Sequence, residues 1–134
     1  IETCDYNNLK AGKDFKLSSN EIIQNSLLTS DPEAALSYAF CSDTSYKPDI
    51  VEIIQEANLL YHEATFLADK EDLAKKTRHS TAKQAALIAK KAKVKKLILG
   101  HYSSRYKDIS LFKKEAEEIF KDVILAEAGK VLSM

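Results

Sequence analysis

From residue 36 onward, short apolar runs alternate with stretches in which apolar residues recur at helical spacing. The apolar runs at 36–44, 58–64 and 94–102 have the length of buried strands. Between and after them, helical spacing extends from Pro48 to Ala57 and again over 111–121. This alternation predicts an α/β fold in which helices connect successive strands.

Boundary signals add three further elements. Thr81 and Gln84 have the spacing of a capping box, so a helix is predicted to begin there. Its buried stripe consists of Ala85, Ile88, Ala89 and Ala92. The segment "KEDLAKK" at 70–76 predicts a short helix, and "VILAEAGKVLSM" at 123–134 predicts a hairpin or bent strand pair around Ala128–Gly129.

The chain has the size of one domain, with 134 residues and a mass of 15.0 kDa. We expect residues 35–134 to form the regular core. Residues 1–34 are polar and rich in turn signals, which predicts a connecting region with one short strand near Glu21–Gln24. No signal peptide is visible, and the absence of an initiator methionine suggests a fragment or a processed chain.

Apolar runs and cysteines point to a cytoplasmic protein without a membrane anchor. No apolar run approaches the roughly 18 residues that a membrane span needs. Cys4 and Cys41 lie far apart and lack metal-ligand spacing. Reduced thiols are therefore expected rather than a disulfide.

The net charge of zero conceals a strong asymmetry along the chain. Residues 1–74 carry five basic and 14 acidic side chains, a balance of −9, whereas residues 75–134 carry 15 basic and six acidic ones, a balance of +9. The densest stretch, from Lys75 to Lys96, has nine Lys or Arg and no acidic residue. It predicts either a surface for a polyanion such as RNA or a solvated helix face, and composition leaves both open.

Reactive side chains follow three predicted strands at their carboxyl ends. Asp43 follows the first strand, His62 and Glu63 end the second, and His101 ends the third. Because such strand ends meet at one edge of an α/β sheet, we expect a shared site, although each residue alone would also suit a structural role. Asp43 and His101 suit zinc or manganese, but two ligands are too few for a complete metal site.

Glu63 and His79 suggest acid–base chemistry. A carboxylate that hydrogen-bonds an imidazole favours the protonated ring, so His79 is predicted to act as a general acid. Arg105 carries a planar guanidinium group whose N–H donors suit a phosphate group. The alternative is a surface salt bridge.

Four motifs resemble those of ribonuclease Z, the tRNA 3′-processing endonuclease of the metallo-β-lactamase superfamily. They are "SDT" at 42–44, "HEATF" at 62–66, "HST" at 79–81 and "HYSSRY" at 101–106, in the family's order and at similar spacing. The combination of HEAT and HST is peculiar to this family within the superfamily. The resemblance covers roughly residues 36–128. It implies the C-terminal half of a four-layer αβ/βα metallo-β-lactamase fold, with helices packed on a mixed sheet.

The resemblance also implies a role for each candidate residue. Asp43 would bridge two zinc ions, with manganese as a possible substitute, and His101 would be the last zinc-ligand histidine. Glu63 and His79 would relay a proton to the leaving 3′ oxygen. Arg105 would lie near the scissile phosphate.

The chain departs from the family in what it lacks. The H-x-H-x-D-H signature, a further ligand histidine and the arm that binds the tRNA elbow are all absent. His62 is expected only to support the site, and Gly100 stands where threonine is commoner. We interpret the chain as the C-terminal half of a protein whose N-terminal half is missing.

The expected function of the whole protein is that of a zinc-dependent, cytoplasmic homodimer that removes the 3′ trailer from precursor tRNA. The 134-residue chain alone is expected to bind zinc poorly and to be inactive. One alternative is a non-catalytic folded module that binds RNA or its missing half. Another is a different phosphodiesterase of the same superfamily.

Overall fold

The computed structural model describes residues 2–133, which divide between Ala35 and Leu36 into two compact units. The smaller unit contains two helices and a two-stranded antiparallel sheet. Its elements are α1 (Thr3–Lys10), β1 (Phe15–Lys16), β2 (Ile22–Ile23) and α2 (Asn25–Leu28). The predicted short strand corresponds to β2, whereas the two helices were not expected.

The start of α1 shows why this helix forms in a polar segment. Glu2 and Asp5 form a capping box, in which the Glu2 backbone N–H donates to the Asp5 carboxylate at 2.9 Å. Leu9 is the one buried residue of the helix. Local capping rather than an apolar stripe therefore defines α1, and apolar periodicity alone could not reveal it.

The larger unit is a four-stranded sheet with helices packed on it. Its strands are β3 (Tyr38–Cys41), β4 (Leu59–Glu63), β5 (Lys96–Gly100) and β6 (Val123–Leu125). Its helices are α3 (Glu71–Thr77), α4 (Ala82–Ala92) and α5 (Ser110–Glu117), together with two 3-10 turns at Pro48–Ile50 and Ala68–Lys70. The strand order is β3-β4-β5-β6, and every neighbouring pair is parallel.

The core of this unit lies between the sheet and its helices. Leu60, Leu97 and Leu99 are fully buried, as is Phe112 of α5. Each such side chain contributes about 1.5–3 kcal/mol by leaving water. The α/β class predicted from the apolar runs is confirmed. No helix among residues 2–133 is long and apolar enough to cross a membrane.

Three sequence-based expectations differ from the structure. The helix predicted from Pro48 to Ala57 is a 3-10 turn at Pro48–Ile50 followed by further turns. Its backbone bonds run mainly over three residues, as from Ile53 N–H to the Ile50 carbonyl. The β-branched side chains at positions 50, 51, 53 and 54 disfavour a regular helix, and Ile53 is left 84% exposed.

The other two differences concern strand pairing. The predicted hairpin consists of β6 alone, followed by a turn in which Lys130 N–H donates to the Glu127 carbonyl. Residues 131–133 form no strand. The sheet of the larger unit is parallel throughout rather than mixed, since helices or turns bring each strand back in the same direction. Among residues 2–133, antiparallel pairing is confined to β1 and β2.

Helix α4 has the predicted start and a defined end. Thr81 Oγ1 accepts from Gln84 N–H at 3.1 Å, and Gln84 Oε1 accepts from Thr81 N–H at 3.0 Å, which confirms the capping box. The helix ends at Lys93, whose backbone is left-handed with φ of 53°. A residue with a Cβ is strained in this conformation, and glycine is not.

The end of α4 leads to a prediction about stability. Lys93→Gly is expected to raise the free energy of unfolding by about 0.5–1 kcal/mol, because it removes left-handed strain at an exposed position. Lys90→Gly, at an exposed position within the same helix, is the matched control. It should lower the free energy of unfolding by about 1 kcal/mol. Urea unfolding measures both. Equal destabilisation by the two changes would contradict the left-handed end of α4.

Candidate functional site

The carboxyl ends of β3, β4 and β5 bring the predicted site residues to one sheet edge. Cys41 is in register with His62, and Glu63 with Gly100. Asp43 follows β3 by two residues, and His101 follows β5 directly. The Asp43 Oδ1 lies 3.4 Å from the His101 Nε2. These two side chains therefore share the edge, as expected from the sequence.

Glu63 is a fully buried carboxylate that accepts four hydrogen bonds. Its Oε1 accepts from the backbone N–H of Thr44 and from His79 Nδ1, both at 2.8 Å. Its Oε2 accepts from Thr65 Oγ1 at 2.7 Å and from Ser80 N–H at 3.1 Å. Burial raises the pKa of Glu63, but the four donors outweigh it and hold the pKa below its ordinary value. The carboxylate is therefore ionised near neutral pH.

His79 joins the pair that the sequence assigned to a metal. Its ring is partly exposed and stacks on the ring of His101, with 5.2 Å between centroids. One potential ligand atom from each of Asp43, His79 and His101 lies within 4.8 Å of the other two. Because Nδ1 of His79 is hydrogen-bonded to Glu63, the Nε2 atom of His79 is the nitrogen that remains for a metal or a substrate.

Thr65 links Glu63 to His101 and was not singled out from the sequence. Its hydroxyl donates its single proton to Glu63, so it must accept from Nδ1–H of His101, 2.8 Å away. The neutral His101 ring then carries its lone pair on Nε2, the atom that faces Asp43. Metal-binding histidines are commonly oriented in this way by a partner on the other nitrogen.

Both strand-end residues that face each other have left-handed backbones. The φ angle is 47° at Asp43 and 62° at His101. Such conformations in residues other than glycine cost about 1–3 kcal/mol and are often found at functional sites. The close approach of the two side chains thus depends on strained turns directly after β3 and β5.

Gly100, at the end of β5, makes a close approach possible. The ring of Tyr61 lies so near that a Cβ at residue 100 would be 2.7 Å from Cε2 and Cζ of the tyrosine. A side chain there would displace the Tyr61 ring, which also stacks on Phe40 at 4.6 Å. Tyr61 and Gly100 therefore fit each other as a pair.

Arg105 lies over the ring of Phe66, 5.5 Å from its centroid, and its Nε donates to Ser103 Oγ at 3.2 Å. Phe66 in turn contacts His79 edge-on, with 6.4 Å between ring centroids. Within residues 2–133, Arg105 forms no ion pair, so the alternative of a surface salt bridge is not realised there. Its guanidinium therefore lies over the Phe66 ring, which in turn contacts the ring of His79.

His62 is fully buried and takes no direct part in this cluster. Its Nδ1 donates to the carbonyl of Glu63 at 2.8 Å, and its Nε2 has no hydrogen-bond partner among the described residues. Burial lowers the pKa of His62 from its ordinary value of 6.5, because the charged ring would lose its hydration. The supporting position expected for His62 agrees with this environment.

Comparison with known proteins yields close sequence relatives, although no family model matches. The chain is 51% identical over 126 residues to the protein named ribonuclease Z from Parabacteroides distasonis, covering 94% of this chain and 41% of that protein. The chain belongs to the ribonuclease Z family. It corresponds to a C-terminal portion of the longer ribonuclease Z sequences and spans about two fifths of the length of the curated relatives it matches.

Solved structures agree with this assignment. The metallo-beta-lactamase fold protein YhfI from Bacillus subtilis matches 76% of the chain and 42% of its own length, at 26% identity and a TM-score of 0.69. The short form of human tRNase Z matches 62% of the chain and 27% of its own length, at 38% identity and a TM-score of 0.50. The expected metallo-β-lactamase fold and the resemblance to ribonuclease Z are both confirmed, with a parallel rather than a mixed sheet.

Burial of His62 predicts a pH dependence of stability. In the unfolded chain His62 takes up a proton below its ordinary pKa of 6.5, whereas the folded chain resists it. The contribution of His62 to the free energy of unfolding is therefore complete above pH 6.5. It is lost as the pH falls towards the lowered pKa of His62 in the folded state. The free energy of unfolding should fall from about pH 7.5 to about pH 5.5, with a slope from His62 approaching about 1.4 kcal/mol per pH unit.

His62→Asn tests this origin, since the amide can still donate to the Glu63 carbonyl but does not titrate. Urea unfolding of both proteins across the same range should show a shallower slope for the variant, whatever its absolute stability. The other two histidines are unchanged and contribute equally to both curves. Identical slopes would contradict the prediction.

Proposed function

We propose that the chain contributes the general acid and part of the metal site of a zinc-dependent endoribonuclease that removes the 3′ trailer from precursor tRNA. The observation that carries the proposal is the contact between the buried Glu63 carboxylate and His79, directly beside Asp43 and His101. Family membership supports the same activity for the whole protein. The relatives are about 2.4 times longer, so the activity is proposed for a full-length protein that contains this chain.

The donor atoms at the sheet edge fit a zinc site. One carboxylate and one or two imidazoles form the oxygen and nitrogen set that zinc accepts, and manganese would also be tolerated. Asp43 and His101 would hold the metal, with Thr65 fixing the ring of His101. A bound divalent ion supplies Lewis-acid stabilisation of phosphate oxygens and acidifies water. Two ions, as proposed for the complete site, need further ligands beyond these residues.

His79 is proposed to act on the leaving group rather than on the metal. Glu63 retains the proton on Nδ1, so protonated His79 can donate the proton on Nε2 to the leaving 3′ oxygen. In this step an oxygen of water bonds to phosphorus and the bond from phosphorus to the 3′ oxygen breaks. The tRNA keeps a 3′-hydroxyl, and the trailer keeps the phosphate.

Arg105 and the basic stretch are proposed to bind the RNA backbone. The guanidinium lies on Phe66, whose ring contacts His79, and has no carboxylate partner in the described part of the chain. Of the nine cations from Lys75 to Lys96, all but Lys96 are exposed. None of the nine pairs with a carboxylate within residues 2–133. Such free cations are available to phosphate groups.

Homodimer formation and a cytoplasmic location belong to the same proposal, in line with the family and with a tRNA substrate. The two alternatives make different predictions. A folded module without activity would bind RNA but cut nothing even in the full-length protein. Another phosphodiesterase of the superfamily would cleave small phosphodiesters in preference to precursor tRNA.

The role of His79 can be tested in the full-length protein. His79→Ala is expected to lower kcat by about 10²–10⁴ while the metal content stays unchanged. Glu63→Gln should lower kcat in the same direction, and the double variant should lose less than the product of the two effects, because the residues act as a unit. Thr77→Ala, at an exposed and uncharged residue two positions before His79, is the control. Elemental analysis decides the role, since loss of zinc in His79→Ala would make His79 a ligand.

The role of the basic stretch can be tested by charge reversal. Lys90→Glu combined with Lys93→Glu should weaken binding of precursor tRNA and reduce the slope of log affinity against log salt by about one to two. Lys114→Glu combined with Lys121→Glu reverses the same charge on and just beyond α5, outside this stretch. Titrations at several salt concentrations compare the two pairs. Equal effects, or none, would favour a solvated helix face.

A further inference from the structure

Glu115 on α5 is a partly buried carboxylate that accepts hydrogen bonds from two separate parts of the backbone. The Ala68 N–H donates to both of its oxygens, at 3.1 Å to Oε1 and 3.0 Å to Oε2. The Lys83 N–H donates to Oε1 at 3.0 Å. Within residues 2–133 Glu115 forms no ion pair. Its carboxylate therefore serves to join two backbone segments to α5.

The two segments that it joins, residues 64–68 and 79–83, carry the proposed general acid and directly follow its carboxylate partner. They are connected to each other by two backbone bonds. The Phe66 N–H donates to the Ser80 carbonyl at 3.3 Å, and the Ala82 N–H donates to the Phe66 carbonyl at 3.0 Å. Because this bridge is short, a third element that binds both segments restricts their movement relative to each other.

The start of α4 depends directly on Glu115. Lys83 is the second residue of α4, where a helix leaves its backbone N–H without an internal partner. The N–H groups on either side of it donate to the Phe66 carbonyl and to the Thr81 hydroxyl. Glu115 accepts from the one between them, and its negative charge suits the positive end of the helix. Since α4 begins three residues after His79, this contact helps to fix where the imidazole lies.

Tyr106 holds the first of the two segments at the neighbouring residue. Its hydroxyl accepts from the Leu67 N–H at 3.1 Å. Its ring packs edge-on against Phe112 of α5, with 5.0 Å between centroids, and Phe112 is fully buried. The support for both segments therefore comes from a helix that is anchored in the core.

We propose that Glu115 is a positioning residue, which keeps His79 in hydrogen-bond contact with Glu63, and that Tyr106 is its second support. The inference rests on the proposed function, because Glu115 acts only through the general acid. The quantity that it controls is the 2.8 Å distance from His79 Nδ1 to Glu63 Oε1. Displacement of a catalytic group by about 1 Å can cost about 10²-fold in rate.

Substitution of Glu115 in the full-length protein tests the inference. Glu115→Ala is expected to lower kcat for precursor tRNA by about 10- to 100-fold, because the two segments lose their common acceptor. Glu115→Gln should stay within about twofold of the unmodified protein, since one amide oxygen can replace Oε1, which accepts from both N–H groups. Glu118→Ala removes an exposed carboxylate just beyond α5 and is the matched control.

A precursor with sulfur in place of the leaving 3′ oxygen separates positioning of the general acid from general stability. When its phosphorus–sulfur bond breaks, the thiolate leaves without taking up a proton, because thiols are much more acidic than ribose hydroxyls. Glu115→Ala and His79→Ala should therefore cleave this precursor within about twofold of the unmodified protein. Loss of folded protein would instead lower the rates for both precursors equally.

Tyr106→Phe is a second, milder variant that keeps the ring against Phe112 and removes only the acceptor for Leu67. It should lower kcat for the oxygen precursor by about three- to tenfold and leave the rate for the sulfur precursor unchanged. A loss that is equal for the two precursors would contradict the inference even if Glu115→Ala does not fold.

The outcomes distinguish this inference from the proposed function. If Glu115→Ala slows both precursors equally while His79→Ala slows only the oxygen precursor, the inference is overturned and the proposed function stands. Unchanged rates in Glu115→Ala have the same meaning. If His79→Ala slows both precursors equally, the general acid of the proposed function is overturned, and the inference with it.

Hydrogen exchange provides a measurement that does not require cleavage. The backbone amides of Ala68 and Lys83 should exchange faster in Glu115→Ala than in Glu118→Ala, because they lose their acceptor. Unchanged exchange would overturn the inference. An unmodified protein that cuts neither precursor would overturn the proposed function, and the exchange rates would then still decide whether Glu115 holds the two segments.

Discussion

The buried carboxylate of Glu63 is the constraint on which the site depends. A carboxylate without solvent exposure is stable only when donors replace its hydration. Here the donors come from the loop after β3, from the residue two places beyond Glu63 and from the segment between α3 and α4. Folding of the sheet edge and assembly of the site are therefore one process, since neither can be completed without these contacts.

The strained backbone at Asp43 and His101 is held by the same network. Ala64 N–H donates to the Gly100 carbonyl at 2.8 Å, and Ser103 N–H donates to the Thr65 carbonyl at 3.0 Å, which holds the turn around His101 from both sides. On the other strand, the bond from Thr44 N–H to Glu63 follows directly after Asp43. Hydrogen bonds to β4 and to the residues directly after it thus offset the strain. The strained turns keep the side chains of Asp43 and His101 close together.

How much of this could be read from the sequence depends on how local each signal is. The strands and the start of α4 have signals within a few residues, and they were predicted. The pairing of Glu63 with His79 was suggested by the chemistry of the two side chains and by the family motifs, because no spacing rule relates residues 16 apart. The part played by Thr65 depends on the pairing between β4 and β5, which no local pattern encodes. The turns after Pro48 were misread as a helix because apolar spacing outweighed the β-branched residues in the prediction.

One ionised carboxylate sets the proton positions on both histidines of the site. Through Oε1 it holds the Nδ1 proton of His79 directly, and through Oε2 and the Thr65 hydroxyl it holds the Nδ1 proton of His101. If Glu63 became protonated, one of its oxygens would turn from acceptor to donor and at least one of these bonds would be lost. Because its pKa is depressed, Glu63 stays ionised and keeps a proton on Nδ1 of both rings. The Nε2 atom of each ring therefore stays available, as both metal binding and general-acid catalysis require.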